Sequence, residues 1–246
     1  MFKSIMVELR KNCRIKQLLF YLCSIFILCF LITFIENNMM SEKLGYDFNL
    51  MSFLEYNSTF LICKLIFPIF MLYLSSLVFA ADYYEGTLKY FLFSGITRTK
   101  LYLGKMLYLL LLSIISVVII FAGLGFSYLI FGGIDNSIQY LWKAFFSYIL
   151  IGIGCYPIIL IAAFMALVFG QHTKTLFVSI GILILSLCID SVIGAEFYSP
   201  TSFISNANLY FTELSAYKTY VVSYVAYTLG LIITTLTLFN LKDIWN

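Results

Sequence analysis

The sequence predicts an all-α integral membrane protein with six transmembrane helices. Of its 246 residues, 62% are hydrophobic and 11% are charged, whereas a soluble domain is about 45–50% apolar and about 25% charged. A soluble fold of this size has too little interior to bury so much apolar surface, and a disordered chain needs low hydrophobicity. Water-soluble enzymes and disordered proteins are therefore excluded. The net charge of +3 does not indicate nucleic-acid binding.

A helix needs roughly 20 apolar residues to cross about 30 Å of hydrocarbon. Six apolar runs of the sequence reach this length or nearly reach it. They are too continuous for barrel strands, which alternate over about 10 residues. The predicted spans are Leu18–Ile35, Phe60–Ala81, Leu107–Phe131, Ala144–Phe169, Leu176–Ile193 and Tyr220–Phe239. The first run is longer than the apolar core of a signal peptide and no small-residue cleavage pattern follows, so we interpret it as a retained span.

The distribution of basic residues predicts the orientation of these spans. Most of the 15 Lys and Arg residues lie in the leader before the first span or between spans two and three, while acidic residues concentrate in the opposite loops. By the positive-inside rule, both termini are cytoplasmic. We expect one multi-pass domain, residues 1–246, in the plasma membrane of a bacterium.

The leader, residues 1–17, has the pattern of an amphipathic helix. Phe2, Ile5 and Leu9 fall on one face under the i, i+3, i+4, i+7 rule, and the basic residues fall largely on the other. A basic amphipathic helix of this kind lies flat among the lipid headgroups. A leader that only sets the topology is the alternative.

Segment 82–106, between spans two and three, is longer than a simple turn requires. It contains Glu-Gly-Thr-Leu-Lys at 85–89, Thr-Arg at 97–98 and Gly-Lys at 104–105. Gly86 and Gly95 interrupt the helical pattern on either side of an apolar patch, and Thr97 is a suitable N-cap for a helix entering span three. A short surface helix here is suited to docking on a soluble partner, and a solvated basic loop is the alternative.

These motifs resemble the signature of type-2 ABC exporter permeases. In that family, Glu-x-Gly-Thr-Leu-(Lys/Arg) is followed by a Pro-(Val/Ile)-(Ser/Thr)-Arg turn and then by Gly-Lys entering span three. Here Gly95 stands in place of the proline, and Glu85 adjoins Gly86 directly. The six predicted spans, the cytoplasmic termini and the amphipathic leader agree with the resemblance.

The resemblance implies that the chain is the membrane subunit of an ATP-driven exporter. Two six-span chains, identical or paralogous, pair in such exporters, and each docks a cytosolic ATPase, two copies per transporter, through a coupling helix after span two. The residues that match the docking motif are Glu85, Thr87, Lys89 and Arg98. The chain has no Gly-x-x-x-x-Gly-Lys-Ser/Thr loop, so ATP and Mg²⁺ are expected on the ATPase. No catalytic residue, cofactor or metal is expected on this chain, and its remaining partner is membrane lipid.

The resemblance also indicates a class of substrate and a structure for the predicted external segment 194–219. We expect the chain to belong to the small relatives that export antimicrobial peptides or give immunity to them, as bacteriocin-immunity transporters do. The expected substrate is an amphipathic peptide or an antibiotic-like molecule. In the relatives, the stretch that matches segment 194–219 dips into the outer leaflet as two short helices. Pro200 is suited to a helix start there, and an ordinary external loop is the alternative.

Two ionisable residues, Lys64 and Asp190, lie inside predicted spans at shallow depth. Charges within the membrane are costly and indicate function, so the two residues are candidates for the translocation path or for a pair in the outer leaflet. Lys64 reaching to the headgroups is the simpler interpretation. A secondary transporter that uses both residues is the alternative function. An intramembrane enzyme is less well supported, because the one histidine, His172, is expected in the loop 170–175 outside the spans.

Overall fold

The described part of the chain is helical, with no strand among residues 21–34, 62–84, 97–131, 138–193, 199–205 and 214–241 of this computed structural model. We number the α-helices in chain order, and a short π-helical turn, Ile62–Ile66, directly precedes α2. The helices are α1 Tyr21–Phe34, α2 Phe67–Tyr84, α3 Arg98–Phe131, α4 Ile138–Gly154, α5 Tyr156–Phe169, α6 His172–Ile193, α7 Ser202–Ser205 and α8 Leu214–Leu241.

Five stretches of these helices are long and apolar enough to cross a membrane, which confirms the all-helical membrane class. They are Ile62–Ala80, Arg98–Ser127, Ala144–Phe169, His172–Val192 and Tyr220–Leu241. The first predicted span is described only over Tyr21–Phe34, which is shorter than the roughly 20 residues that a crossing takes. The first predicted span, and with it the count of six, therefore stays a prediction, as does the amphipathic leader.

Helix α3 begins well before the predicted start of its span at Leu107. Thr97 precedes the helix, and its carbonyl oxygen accepts the first helical hydrogen bond from Leu101 N over 3.0 Å, as expected of an N-cap residue. The 34 residues of α3 extend about 50 Å at about 1.5 Å per residue. Because the hydrocarbon layer is about 30 Å thick, the helix is long enough to carry its first turns beyond it.

The fourth predicted span is not one helix but two, α4 and α5, which meet at Cys155. Pro157 lies in the first turn of α5, where its missing N–H is tolerated. A proline removes the hydrogen bond to the carbonyl four residues earlier, which here is the carbonyl of Ile153. Tyr224 Oη of α8 donates to that oxygen over 2.7 Å. The break in the span is therefore compensated from another helix.

Helix α5 is the centre of the bundle and packs on α2, α6 and α8. Ala162, Ala163 and Ala166 are fully buried, and small side chains of this kind let helices approach closely. Gly170 ends the helix with φ of 64°, and its N–H donates to Ala166 O over 2.9 Å. Glycine adopts this left-handed conformation without strain, and α6 begins two residues later, at His172.

Helices α6 and α8 lie at the outside of the described bundle. Only 22% of the apolar stretch of α6 and 11% of that of α8 are buried. Their exposed side chains include Phe177, Val192 and Val222. These apolar faces suit lipid or another membrane-embedded chain.

Candidate functional site

The first turn of α3 is joined to the end of α8 by Arg98. Its Nη1 donates to the carbonyl oxygen of Asn240 over 2.9 Å. The last carbonyls of a helix have no donor within the helix, and a cation there interacts favourably with the negative end of the helix dipole. Arg98 therefore caps the C-terminal end of the last span.

One turn further along α3, Tyr102 makes a second contact with α8. Its hydroxyl and that of Thr235 share a short hydrogen bond, and both residues are fully buried. The Tyr102 ring also lies 6.0 Å from that of Phe79 and 5.7 Å from that of Phe239, measured between centroids. A buried hydroxyl needs such a partner because an unpaired one is costly.

Lys105 joins α3 to α2. Its Nζ donates to the carbonyl oxygen of Val78 over 2.6 Å and lies 5.2 Å from the centre of the Phe79 ring. The side chain is fully buried, which for an ammonium group requires hydrogen bonds or charge compensation. Lys105 belongs to the segment predicted to lie outside the spans, and the structure buries it between α2 and α3.

Arg98, Tyr102 and Lys105 form one face of α3, which we call the α3 polar face. Their spacing of four and three residues places them on the same side of a helix. The spacing is visible in the sequence, and it marks a polar face only when the Tyr102 hydroxyl is counted as polar. The α3 polar face lies at the end of α3 that follows the predicted docking segment.

His172 lies at the same end of the bundle and contacts α2. Ser76 Oγ donates to Tyr73 O over 2.7 Å and lies 2.8 Å from His172 Nδ1. Because the Ser76 proton is already used, this arrangement favours a proton on Nδ1 that donates to Ser76. His172 is the first residue of α6 rather than a loop residue, and its hydrogen bond ties α6 to α2.

The two predicted intramembrane charges have different surroundings. Lys64 is half-buried in the π-helical turn that precedes α2. Thr201 Oγ1 donates to Asp190 Oδ2 in a short hydrogen bond, while Asp190 Oδ1 is buried without a hydrogen-bond partner among the described residues. Among these residues the described partner of Asp190 is therefore Thr201 and not Lys64.

Short helix α7 lies in segment 194–219, which is predicted to be external, and is buried against the other helices. Tyr220 Oη donates to Phe203 O over 2.7 Å, and the Phe203 ring makes edge contacts with Tyr220 and Tyr224 at 5.1 and 5.3 Å between centroids. A Cβ added to Gly154 would lie 2.6 Å from the Phe203 carbonyl oxygen. The glycine is therefore required for this close approach.

Of the four predicted docking residues, Arg98 is described and makes the contact with Asn240 given above. Glu85, Thr87 and Lys89 lie outside the described residues, as does the predicted coupling helix. The docking role of all four residues stays a prediction.

The comparison with protein families identifies the class of the protein. The family model described as "ABC-2 family transporter protein" matches residues 4–189, which are most of the 246 residues. The chain belongs to the ABC-2 transporter family. A comparison with curated proteins found no match.

Membership of the ABC-2 family confirms the resemblance seen in the sequence at the level of the family. An ABC-2 permease is a multi-pass membrane protein and the transport component of its system, not a catalytic subunit. The family typically has no cofactor of its own and implies a separate ATPase partner. The match includes segment 82–106 and ends before α7.

Proposed function

We propose that this ABC-2 permease forms the translocation path of an ATP-driven exporter and docks a separate ATPase through segment 82–106. The observation that carries the proposal is the family match over residues 4–189. ATP and Mg²⁺ bind to the ATPase in this proposal. Both termini and segment 82–106 lie in the cytoplasm of a bacterial cell, in agreement with the distribution of Lys and Arg.

The contacts at the two ends of the docking segment support its role. Near its beginning, the end of α2 is held by Lys105 through Val78 O. In its last part, which is the start of α3, Arg98 and Tyr102 bind to α8. A movement of a segment held by these contacts is transmitted to three helices, α2, α3 and α8.

The burial of α7 supports a re-entrant external segment. Phe203 packs on Gly154, which lies ten residues beyond Ala144, the first residue of its apolar stretch. At about 1.5 Å per residue, Gly154 is about 15 Å along that helix, near the middle of a hydrocarbon layer of about 30 Å. We therefore propose that segment 194–219 enters the membrane from the outer side.

We further propose that two six-span chains, identical or paralogous, form the path together with two ATPases. The exposed apolar faces of α6 and α8 are available for a second chain and for lipid. An amphipathic peptide or antibiotic-like molecule is the proposed substrate, and peptide export or immunity is the proposed subgroup. The acidic outer loops and the aromatic external segment suit a cationic, partly apolar molecule of this kind.

The ion-gradient alternative, with Asp190 and Lys64 as the relay, is not favoured. Family membership points to an ATPase as the source of energy. Asp190 is held by Thr201 in the described structure, and this contact connects α6 to the external segment. The contact is explained by packing without any ion movement.

Co-purification tests the docking proposal. The tagged permease is expressed with the candidate ATPase encoded beside it, extracted in detergent, and the amount of ATPase recovered per permease is measured. We expect Glu85→Ala and Lys89→Ala to lower this recovery about tenfold, which corresponds to about 1.4 kcal/mol.

Lys174→Ala is the matched control for the docking test. Lys174 is an exposed basic residue at the start of α6, and its removal changes the charge at the same end of the bundle. We expect the control to recover as much ATPase as the wild type. A permease that purifies without any ATPase and transports its substrate without nucleotide would disprove the proposed function.

A further inference from the structure

The two contacts between α3 and α8 have a regular antiparallel register. Arg98 pairs with Asn240 and Tyr102 with Thr235, so four residues on α3 correspond to five on α8. These spacings are about 6 Å and about 7 Å along the two helices. We call these two contacts the α3–α8 latch. A sliding movement of either helix breaks both contacts at once.

The chemistry of the latch favours movement of the two helices as one unit. The Tyr102 and Thr235 hydroxyls are buried. Thr235 Oγ1 already donates to Leu231 O of its own helix, so Tyr102 is the donor between the two, and separating them without water leaves the Tyr102 hydroxyl unpaired. Phe239 packs on the Tyr102 ring, which adds a contact on the same side of α8. The latch is therefore expected to stay closed when α3 is displaced.

Besides α3, helix α8 packs on α5, and much of its remaining surface is exposed. Only 11% of its apolar stretch is buried. Near its other end, Tyr220 and Tyr224 donate to Phe203 O and Ile153 O. The helix is thus held by polar contacts near each end and by its packing on α5 between them.

We infer that the α3–α8 latch makes the last span the element that carries movement from segment 82–106 to the external segment around Phe203. This inference rests on the proposed function, because an ATPase docked on segment 82–106 supplies the movement. Displacement of the start of α3 pulls the end of α8 through Tyr102 and Thr235. The other end of α8 then acts on Phe203 and on the α4–α5 break through its two tyrosines.

Distances between spin labels in the permease–ATPase complex test the latch. Lys100, Lys174 and Leu241 are exposed and mark the starts of α3 and α6 and the end of α8. Each is replaced, two at a time, by a ketone-bearing unnatural amino acid and labelled with a nitroxide. This labelling leaves the native cysteines untouched. The Lys100–Lys174 and Leu241–Lys174 distances are measured in lipid with the ATPase empty and trapped with ATP and vanadate.

The double variant Tyr102→Phe/Thr235→Val removes both hydroxyls and keeps the shapes of the side chains. In the wild type we expect both distances to change on trapping. In the double variant we expect the change in the Lys100–Lys174 distance to remain, while the change in the Leu241–Lys174 distance falls to less than half. Arg98 is left intact because it is also a predicted docking residue.

Thr234→Val is the matched control, because among the described residues the exposed Thr234 hydroxyl bonds only to carbonyl oxygens of its own helix. We expect wild-type changes in both distances for this variant. The inference is overturned if the Leu241–Lys174 change is undiminished in the double variant, or if the wild type shows no change in that distance. Loss of the ATPase from the wild-type complex is a different result, since it contradicts the proposed function itself.

Discussion

Tyr224→Phe removes the hydroxyl that replaces the backbone donor missing at Pro157. Tyr224 Oη donates to Ile153 O over 2.7 Å, and this carbonyl is the one that a helix without proline would pair with the amide of residue 157. The substitution keeps the aromatic ring and its packing on Phe203. The effect of the variant therefore reports the hydrogen bond alone.

The size of the effect follows from the surroundings of the carbonyl. A buried polar group left without a partner costs about 1–3 kcal/mol, and hydrogen bonds between membrane helices contribute up to about 1.7 kcal/mol. We expect Tyr224→Phe to lower the free energy of unfolding by about 1–2 kcal/mol. Tyr227→Phe is the control, because the Tyr227 hydroxyl makes no hydrogen bond among the described residues, and about 0.5 kcal/mol or less is expected for it.

A double-mutant cycle with Pro157→Ala isolates the cause. Alanine restores an N–H that bonds to Ile153 O, so the loss of the Tyr224 hydroxyl should cost about 0.5 kcal/mol or less in that background. Unfolding is followed by tryptophan fluorescence in mixed micelles as the fraction of SDS increases. An equal cost of Tyr224→Phe with and without Pro157 would refute the explanation.

Two further predictions concern buried positions. Gly154→Ala places a Cβ 2.6 Å from the Phe203 carbonyl oxygen and should lower the free energy of unfolding by about 1–3 kcal/mol. In the control variant Gly125→Ala, the added Cβ has no neighbouring atom within 4 Å, and the change should be neutral or stabilising. Lys105→Met removes a buried, charged hydrogen-bond donor and should cost about 1.5–3 kcal/mol, whereas Lys174→Met at an exposed position should change the stability by about 0.5 kcal/mol or less. The same micelle unfolding assay measures all four variants, and equal effects within either pair would contradict the structure.

The membrane class and the family were predictable from the sequence. Apolar runs of about 20 residues form helices in lipid because a helix satisfies all of its backbone hydrogen bonds within one segment. Local pattern is then sufficient to locate most of the spans. The residues in segment 82–106 that resemble the family signature lie within 25 residues of each other in the chain, so they too are readable without a structure.

The break between α4 and α5 shows the limit of local pattern. The run Ala144–Phe169 is continuously apolar, and a proline near its centre is compatible with a kinked or a straight span. The break is stabilised by Tyr224, which lies far away in the sequence. Periodicity within one run carries no information about such a partner.

The partners of the polar side chains were decided by the packing of the helices. Lys105 is buried and donates to Val78 O, and Asp190 accepts a hydrogen bond from Thr201. Neither partner is indicated by the local sequence. Burial of a charge depends on which carbonyl or hydroxyl a neighbouring helix presents, and that neighbour is set by the register of the whole bundle. The amino-acid composition is therefore sufficient to predict a membrane protein. Which of its few polar groups join the helices is determined by the tertiary contacts.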